Sequence, residues 1–141
     1  MTAEVLRDTL GVPLVLDPGL RERDYGDVRG VAYADLGIDI FAPDYAPPGG
    51  ETWEAFHARV DGAWAGVTGA AGRAAGELVV VTHGLVCHAI ATRHLDLPAG
   101  TTAGMRWGNT SLTVLEGPAY RTPRLLDCTA HLGEGAGGGP V

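Results

Sequence analysis

The chain has 141 residues, 45% of them hydrophobic and 19% charged, enough for one domain with a real core. No apolar run approaches the ~20 residues of a membrane-spanning helix, and Met1-Thr-Ala-Glu-Val-Leu-Arg7 lacks the basic-then-apolar pattern of a signal peptide; no membrane partner and a cytoplasmic location are expected. The formal charge of −7 sits at the front, with 12 Asp/Glu against 5 Arg in residues 1–61 and 5 of each in residues 62–141, which argues against a nucleic-acid partner.

In chain order, Ala3, Leu6 and Leu10 recur at helical spacing and Gly11 is a good stop, so Thr2 to Leu10 is predicted helical. Val12 to Leu16 reads as a short edge strand because of Pro13, and Asp17-Pro-Gly19 as a turn. Leu20 to Gly30 crowds charges, Tyr25 and two glycines without any period; it is a loop, either a site or a solvated charged turn. Val31 to Leu36 adds a helical turn closed by Gly37. Ile38 to Gly50, with Pro43, Pro47 and Pro48, reads as a surface excursion or a lid over a pocket.

Trp53, Phe56, Val60, Trp64 and Val67 recur at 3, 4, 4 and 3 residues, the core-facing stripe of a helix that Glu51 or Thr52 caps and the Gly/Ala-rich stretch 66–76 frays. Glu77-Leu-Val-Val-Val-Thr82 then reads as a strand buried on both faces, followed after Gly84 by a helix through Leu95. His83 falls on the turn between them. There it would meet an anion at a helix N-terminus, or serve as a buried structural histidine; both readings are open.

His83, His88 and His94 lie 5 and 6 residues apart, poor spacing for a metal on one helical face, so no metal is expected. Cys87 and Cys128 suggest buried or idle thiols and no disulfide framework. Asn109 to Glu116 and Tyr120 to Leu126 read as two strands joined at Gly117-Pro118. Residues 1–132 are read as one domain and 133–141 as a disordered Gly-rich tail.

Five ordered segments carry a family resemblance: Leu20-Arg-Glu22-Arg-Asp-Tyr25-Gly26-Asp-Val-Arg-Gly30; Gly49-Gly-Glu51-Thr-Trp53-Glu-Ala-Phe56-His-Ala-Arg59-Val; Val79-Val-Val-Thr-His83-Gly84; Arg106-Trp107-Gly-Asn109-Thr-Ser111; and Cys128-Thr-Ala-His131-Leu. Together they resemble the histidine phosphatase superfamily, the phosphoglycerate-mutase-like enzymes. The resemblance implies an α/β fold of three layers, α/β/α, with a central, mostly parallel sheet, and metal-free, cofactor-free phosphoryl transfer through a phosphohistidine.

Carried over residue by residue, the resemblance makes Glu22 the general acid and His83 the second catalytic histidine, with the Gly84 N–H as a backbone donor to the phosphoryl group. It places Tyr25 on the substrate side, and Arg21 and Arg23 flank the acid where one of them could meet an anionic substrate. Asn109 and Ser111 match less surely. The expected partner is a small phosphorylated metabolite. Leu85 stands where mutases usually carry Asn, and no basic insertion offers a second phosphate site, so phosphomonoester hydrolysis is favoured over mutase activity.

The family's nucleophile lies in an Arg-His-Gly motif ending the first strand, and a second phosphate-binding Arg precedes a Thr-Ala pair. No Arg-His-Gly occurs in the 141 residues, and Thr2-Ala3-Glu4-Val-Leu matches the helix after that second Arg. The resemblance therefore implies a domain incomplete at its N-terminus and inactive by itself, from a truncated or wrongly started reading frame; a non-catalytic phosphate-binding or regulatory remnant is the alternative. A sheet without that strand would leave Val79, Val80 and Val81 on an open edge, available to a second copy or a partner protein.

Overall fold

The computed structural model describes residues 2–133, so the predicted disordered tail lies, apart from Gly133, outside the described residues. The elements are α1 (Thr2–Leu10), α2 (Tyr33–Leu36), α3 (Trp53–Ala71), α4 (Gly84–His94), β1 (Leu112–Glu116) and β2 (Thr122–Cys128), with short 3-10 turns at Pro18–Leu20, Gly26–Val28, Pro118–Tyr120 and Ala130–Leu132.

The centre of the molecule is the pair α3 and α4. Thr52 starts α3 by accepting the Ala55 N–H at 3.1 Å. The apolar stripe then buries Phe56, Val60 and Trp64 against Val86, Ala89, Ile90 and Ala91 of α4 and Leu95 beyond it. Each large side chain so buried contributes ~1.5–3 kcal/mol, which makes this seam the main source of stability. The Gly/Ala-rich stretch frays later than predicted, since α3 continues to Ala71. On the outer side Asp61 of α3 is clasped by Arg93 and His94 of α4, at 2.8 Å to Arg93 Nε and 2.7 Å to His94 Nε2.

The sheet departs from expectation. In place of a central, mostly parallel sheet there is, among the described residues, one antiparallel pair, β1 with β2, registered Leu112 to Cys128 and Glu116 to Thr122. This hairpin is the one predicted, with the first strand starting three residues later and ending at Glu116, and the second displaced by two. The predicted strands at 12–16 and 77–82 are irregular, and among the described residues no backbone group of either bonds to the backbone of another extended segment. Strand structure needs a neighbour to take its N–H and C=O groups. Without one, Val79 is 59% exposed and Val81 39%, so the segment is not buried on both faces.

The Pro-rich excursion at 38–50 has no regular element, as predicted, but it is not wholly superficial: Ile40 and Pro47 are buried. Gly26 shows why the charged loop can lie against it. Its φ is +51°, and a Cβ there would meet the Pro48 carbonyl oxygen at 2.2 Å. Backbone bonds from Asp27 N to Pro48 O at 2.9 Å and from Glu51 N to Asp24 O at 2.8 Å then join the two segments.

Candidate active site

Glu22 and the turn at His83 meet, although 61 residues separate them in sequence. One carboxylate oxygen of Glu22 accepts the Arg23 N–H at 2.9 Å, and the other accepts the Leu85 N–H at 3.2 Å. Leu85 is the second residue of α4, where backbone donors lack helical partners and the dipole favours negative charge. The half-buried acid of the charged loop therefore sits at the amino end of the helix that follows His83 and Gly84. His83 itself is exposed, extended at φ −118° and ψ 166°, with its imidazole free of any capping bond. Thr82 holds the approach to this turn by donating to the Leu20 carbonyl at 2.7 Å.

Two arginines, Arg59 and Arg23, fix the loop on which Glu22 stands. Arg59 of α3 grips the Glu51 carboxylate with two nitrogens, at 2.8 and 2.6 Å, and also donates to the carbonyls of Gly19 at 2.8 Å and Arg21 at 3.0 Å. That grip holds the Glu51 carboxyl below the usual glutamate range. Arg23, 2% exposed, donates to the carbonyls of Glu51 at 3.0 Å, Ile40 at 3.3 Å and Tyr45 at 2.8 Å. Its guanidinium lies 3.7 Å over the Trp53 ring, and burial draws its pKa down.

Arg23 thus points into the protein, away from the surface that a substrate could reach. Arg21 is exposed beside Glu22 and stays available to an anion. Tyr25 is half-buried, 5.6 Å from the Arg23 guanidinium, and lines a cavity of about 100 Å³ with Val28, Arg29, Val31, Leu36 and Ile40. Gly84 opens α4, and a Cβ on it would come within 4.0 Å of the Trp107 Cβ, which brings the Arg106–Ser111 segment beside the turn. Asn109 is exposed and Ser111 half-buried, neither with a side-chain bond to this turn.

No group of three or more His, Cys, Asp or Glu side chains able to hold a metal occurs among the described residues. No helix among them is long and apolar enough to cross a membrane. In the sequence Glu51 is a candidate helix cap and shares one segment of the resemblance with Arg59, but the pairing of the two that supports the Glu22 loop was not read from it. Their spacing of 8 residues, across a helix start, was the available signal.

A carboxylate loop thus meets a His-Gly turn at a helix N-terminus. The chain belongs to the histidine phosphatase superfamily (branch 1), whose family model matches residues 1–127. Comparisons with curated proteins and with solved structures gave no match.

Proposed function

We propose that this site belongs to a metal-free phosphomonoester hydrolase of the phosphohistidine type, acting on a small phosphorylated metabolite. The observation that carries this reading is the Glu22 to Leu85 N–H contact of 3.2 Å, which brings the carboxyl group read as the general acid beside the anion-favouring end of α4. A phosphate seated there would meet the His83 imidazole and the Gly84 N–H, both able to stabilise charge on its equatorial oxygens. Arg21 would steer the anion in. Protonated Glu22 would hand its proton to the leaving alkoxide as the bond from phosphorus to the ester oxygen breaks.

The reaction also needs a nucleophile to take the phosphoryl group, and water to release it as phosphate. The family supplies this as the histidine of Arg-His-Gly, a triplet that the 141 residues do not contain. By itself the chain is therefore a phosphate binder without turnover. The absence of a basic insertion, with Leu85 after His83-Gly84, favours hydrolysis over mutase chemistry in an enzyme that carries the nucleophile.

Two measurements test this. With the 141-residue chain, phosphomonoester turnover should equal background while titration with inorganic phosphate shows binding that His83→Ala removes and Glu22→Gln tightens several-fold, since the amide no longer repels the anion. Turnover abolished by His83→Ala or Glu22→Gln would refute the inactivity of the chain. The DNA 5′ of the first codon decides the rest. An in-frame apolar strand ending in Arg-His-Gly supports the hydrolase, and a nearby stop codon supports the phosphate-binding remnant.

A further inference from the structure

We propose that Asp127 is a positioning residue for the anion site: from a β-bulge in the hairpin its carboxylate holds the Arg106–Ser111 segment against Gly84, at the amino end of α4. This rests on the reading of that end of α4 as the place where a phosphate binds. The bulge is plain in the register, because Leu112 pairs with Cys128 and Val114 with Leu125, so that Leu126 and Asp127 together face Thr113. An extra residue of this kind re-aims a side chain out of the ladder, and bulges are frequent beside functional sites.

Asp127 is half-buried with φ at +47°, a left-handed conformation that Asp and Asn accept more readily than other side chains do. Its N–H goes to the Thr113 hydroxyl at 3.1 Å, and one carboxylate oxygen accepts the Gly108 N–H at 2.9 Å. Only glycine fits at 108, since a Cβ there would meet the Thr129 methyl carbon at 2.7 Å. The turn closes from the Ser111 N–H to the Gly108 carbonyl at 3.0 Å. Between them Thr110 sits at φ +61°, which a β-branched residue keeps only where its surroundings hold it.

Two observations join this clamp to the site. Trp107, next to Gly108, comes within 4.0 Å of where a Cβ on Gly84 would stand, and it packs against the α3–α4 core. The Cys87 thiol, in the first turn of α4, is pushed up to about 11 by burial, then by Glu22 and then by Asp127, so both carboxylates act on the same turn of the helix. A shift of the clamped segment would therefore reach the Gly84 N–H, the backbone donor of the site. Asp127 bonds backbone on both sides, and its charge would repel an anion. Its part is to fix geometry and not to bind the phosphate.

The test compares Asp127→Asn, whose amide oxygen can still accept the Gly108 N–H, with Asp127→Gly, which keeps the positive φ and loses the acceptor. Both should give the far-ultraviolet spectrum of the parent, because neither strains the bulge. In amide proton–nitrogen spectra of the full chain, Asp127→Gly should shift the Gly84 resonance as well as that of Gly108, and Asp127→Asn should move Gly84 much less. Inorganic phosphate should bind Asp127→Gly about tenfold more weakly than the parent, as expected when a site group is misplaced. It should bind Asp127→Asn at least as tightly as the parent, since a nearby negative charge is gone. A Gly84 resonance indifferent to Asp127→Gly would overturn the proposal, and so would equal phosphate affinities of the two variants. If the parent bound no phosphate, the reading of the site would fall, and the Gly84 shift by itself would still decide whether Asp127 positions this turn.

Discussion

The guanidinium of Arg23 lies 3.7 Å over the Trp53 ring while its three nitrogens reach the carbonyls of Ile40, Tyr45 and Glu51. One buried cation thus ties the loop carrying Glu22, the Pro-rich excursion and the start of α3 into a unit. It has no carboxylate partner among these contacts. Carbonyl dipoles and an aromatic face stand in for the lost water.

Replacing Arg23 by Met would keep the stem and strand three buried carbonyls. At ~1–3 kcal/mol for an unsatisfied buried group, with some of the three regaining water, the expected loss is on the order of 3 kcal/mol. Urea unfolding should show it, and limited proteolysis should cut faster within residues 38–50. If stability stayed unchanged while phosphate binding disappeared, Arg23 would be a ligand after all.

Why was Arg23 legible as important but not as structural? Its position beside Glu22 is visible in the sequence, but the direction of its side chain is fixed by carbonyls 17 to 28 residues away. The stripe of Trp53, Phe56, Val60 and Trp64 was legible because a helix closes its own hydrogen bonds and needs only one covered face. The hairpin was legible because its partner strands are neighbours in the chain. Val79, Val80 and Val81 misled for the opposite reason: their composition reports β preference, while a ladder depends on a neighbour that composition cannot supply. The resemblance assigned Glu22 and His83 to one site, but the contact of Glu22 with the Leu85 N–H was not legible, since nothing local relates positions so far apart.

Acid should loosen the clasp between α3 and α4. The Arg93 guanidinium, bonded to Asp61, and then His94 hold that carboxyl at about 2, against an ordinary 3.8. A folded value below the unfolded one means that the stabilisation is complete above about pH 4 and drains away as the pH falls towards 2. Unscreened, the difference is worth about 2.4 kcal/mol. The Asp61 side chain is 33% exposed, and solvent screening reduces this to about 1 kcal/mol. Melting curves from pH 6 to pH 2 should therefore fall less steeply for Asp61→Asn than for the parent. Parallel curves would mean that the clasp contributes nothing to folding.

The exposed apolar residues between α1 and the turn at Pro18 give the last expectation. Val12 is 45% exposed, Val15 86% and Leu16 77%, in a segment without regular structure. Among the described residues Val5, Leu10 and Ile38 are likewise exposed, at 63%, 56% and 52%. Such surface binds hydrophobic dyes and promotes self-association. Changing Val15 to Thr and Leu16 to Gln should lower 8-anilinonaphthalene-1-sulfonate fluorescence while shifting stability by no more than about 0.5 kcal/mol, because neither side chain takes part in the α3–α4 core. A drop of several degrees in the melting midpoint, with dye binding unchanged or raised, would show that these residues pack against the core in solution and that the segment from Val12 to Leu16 completes the fold there.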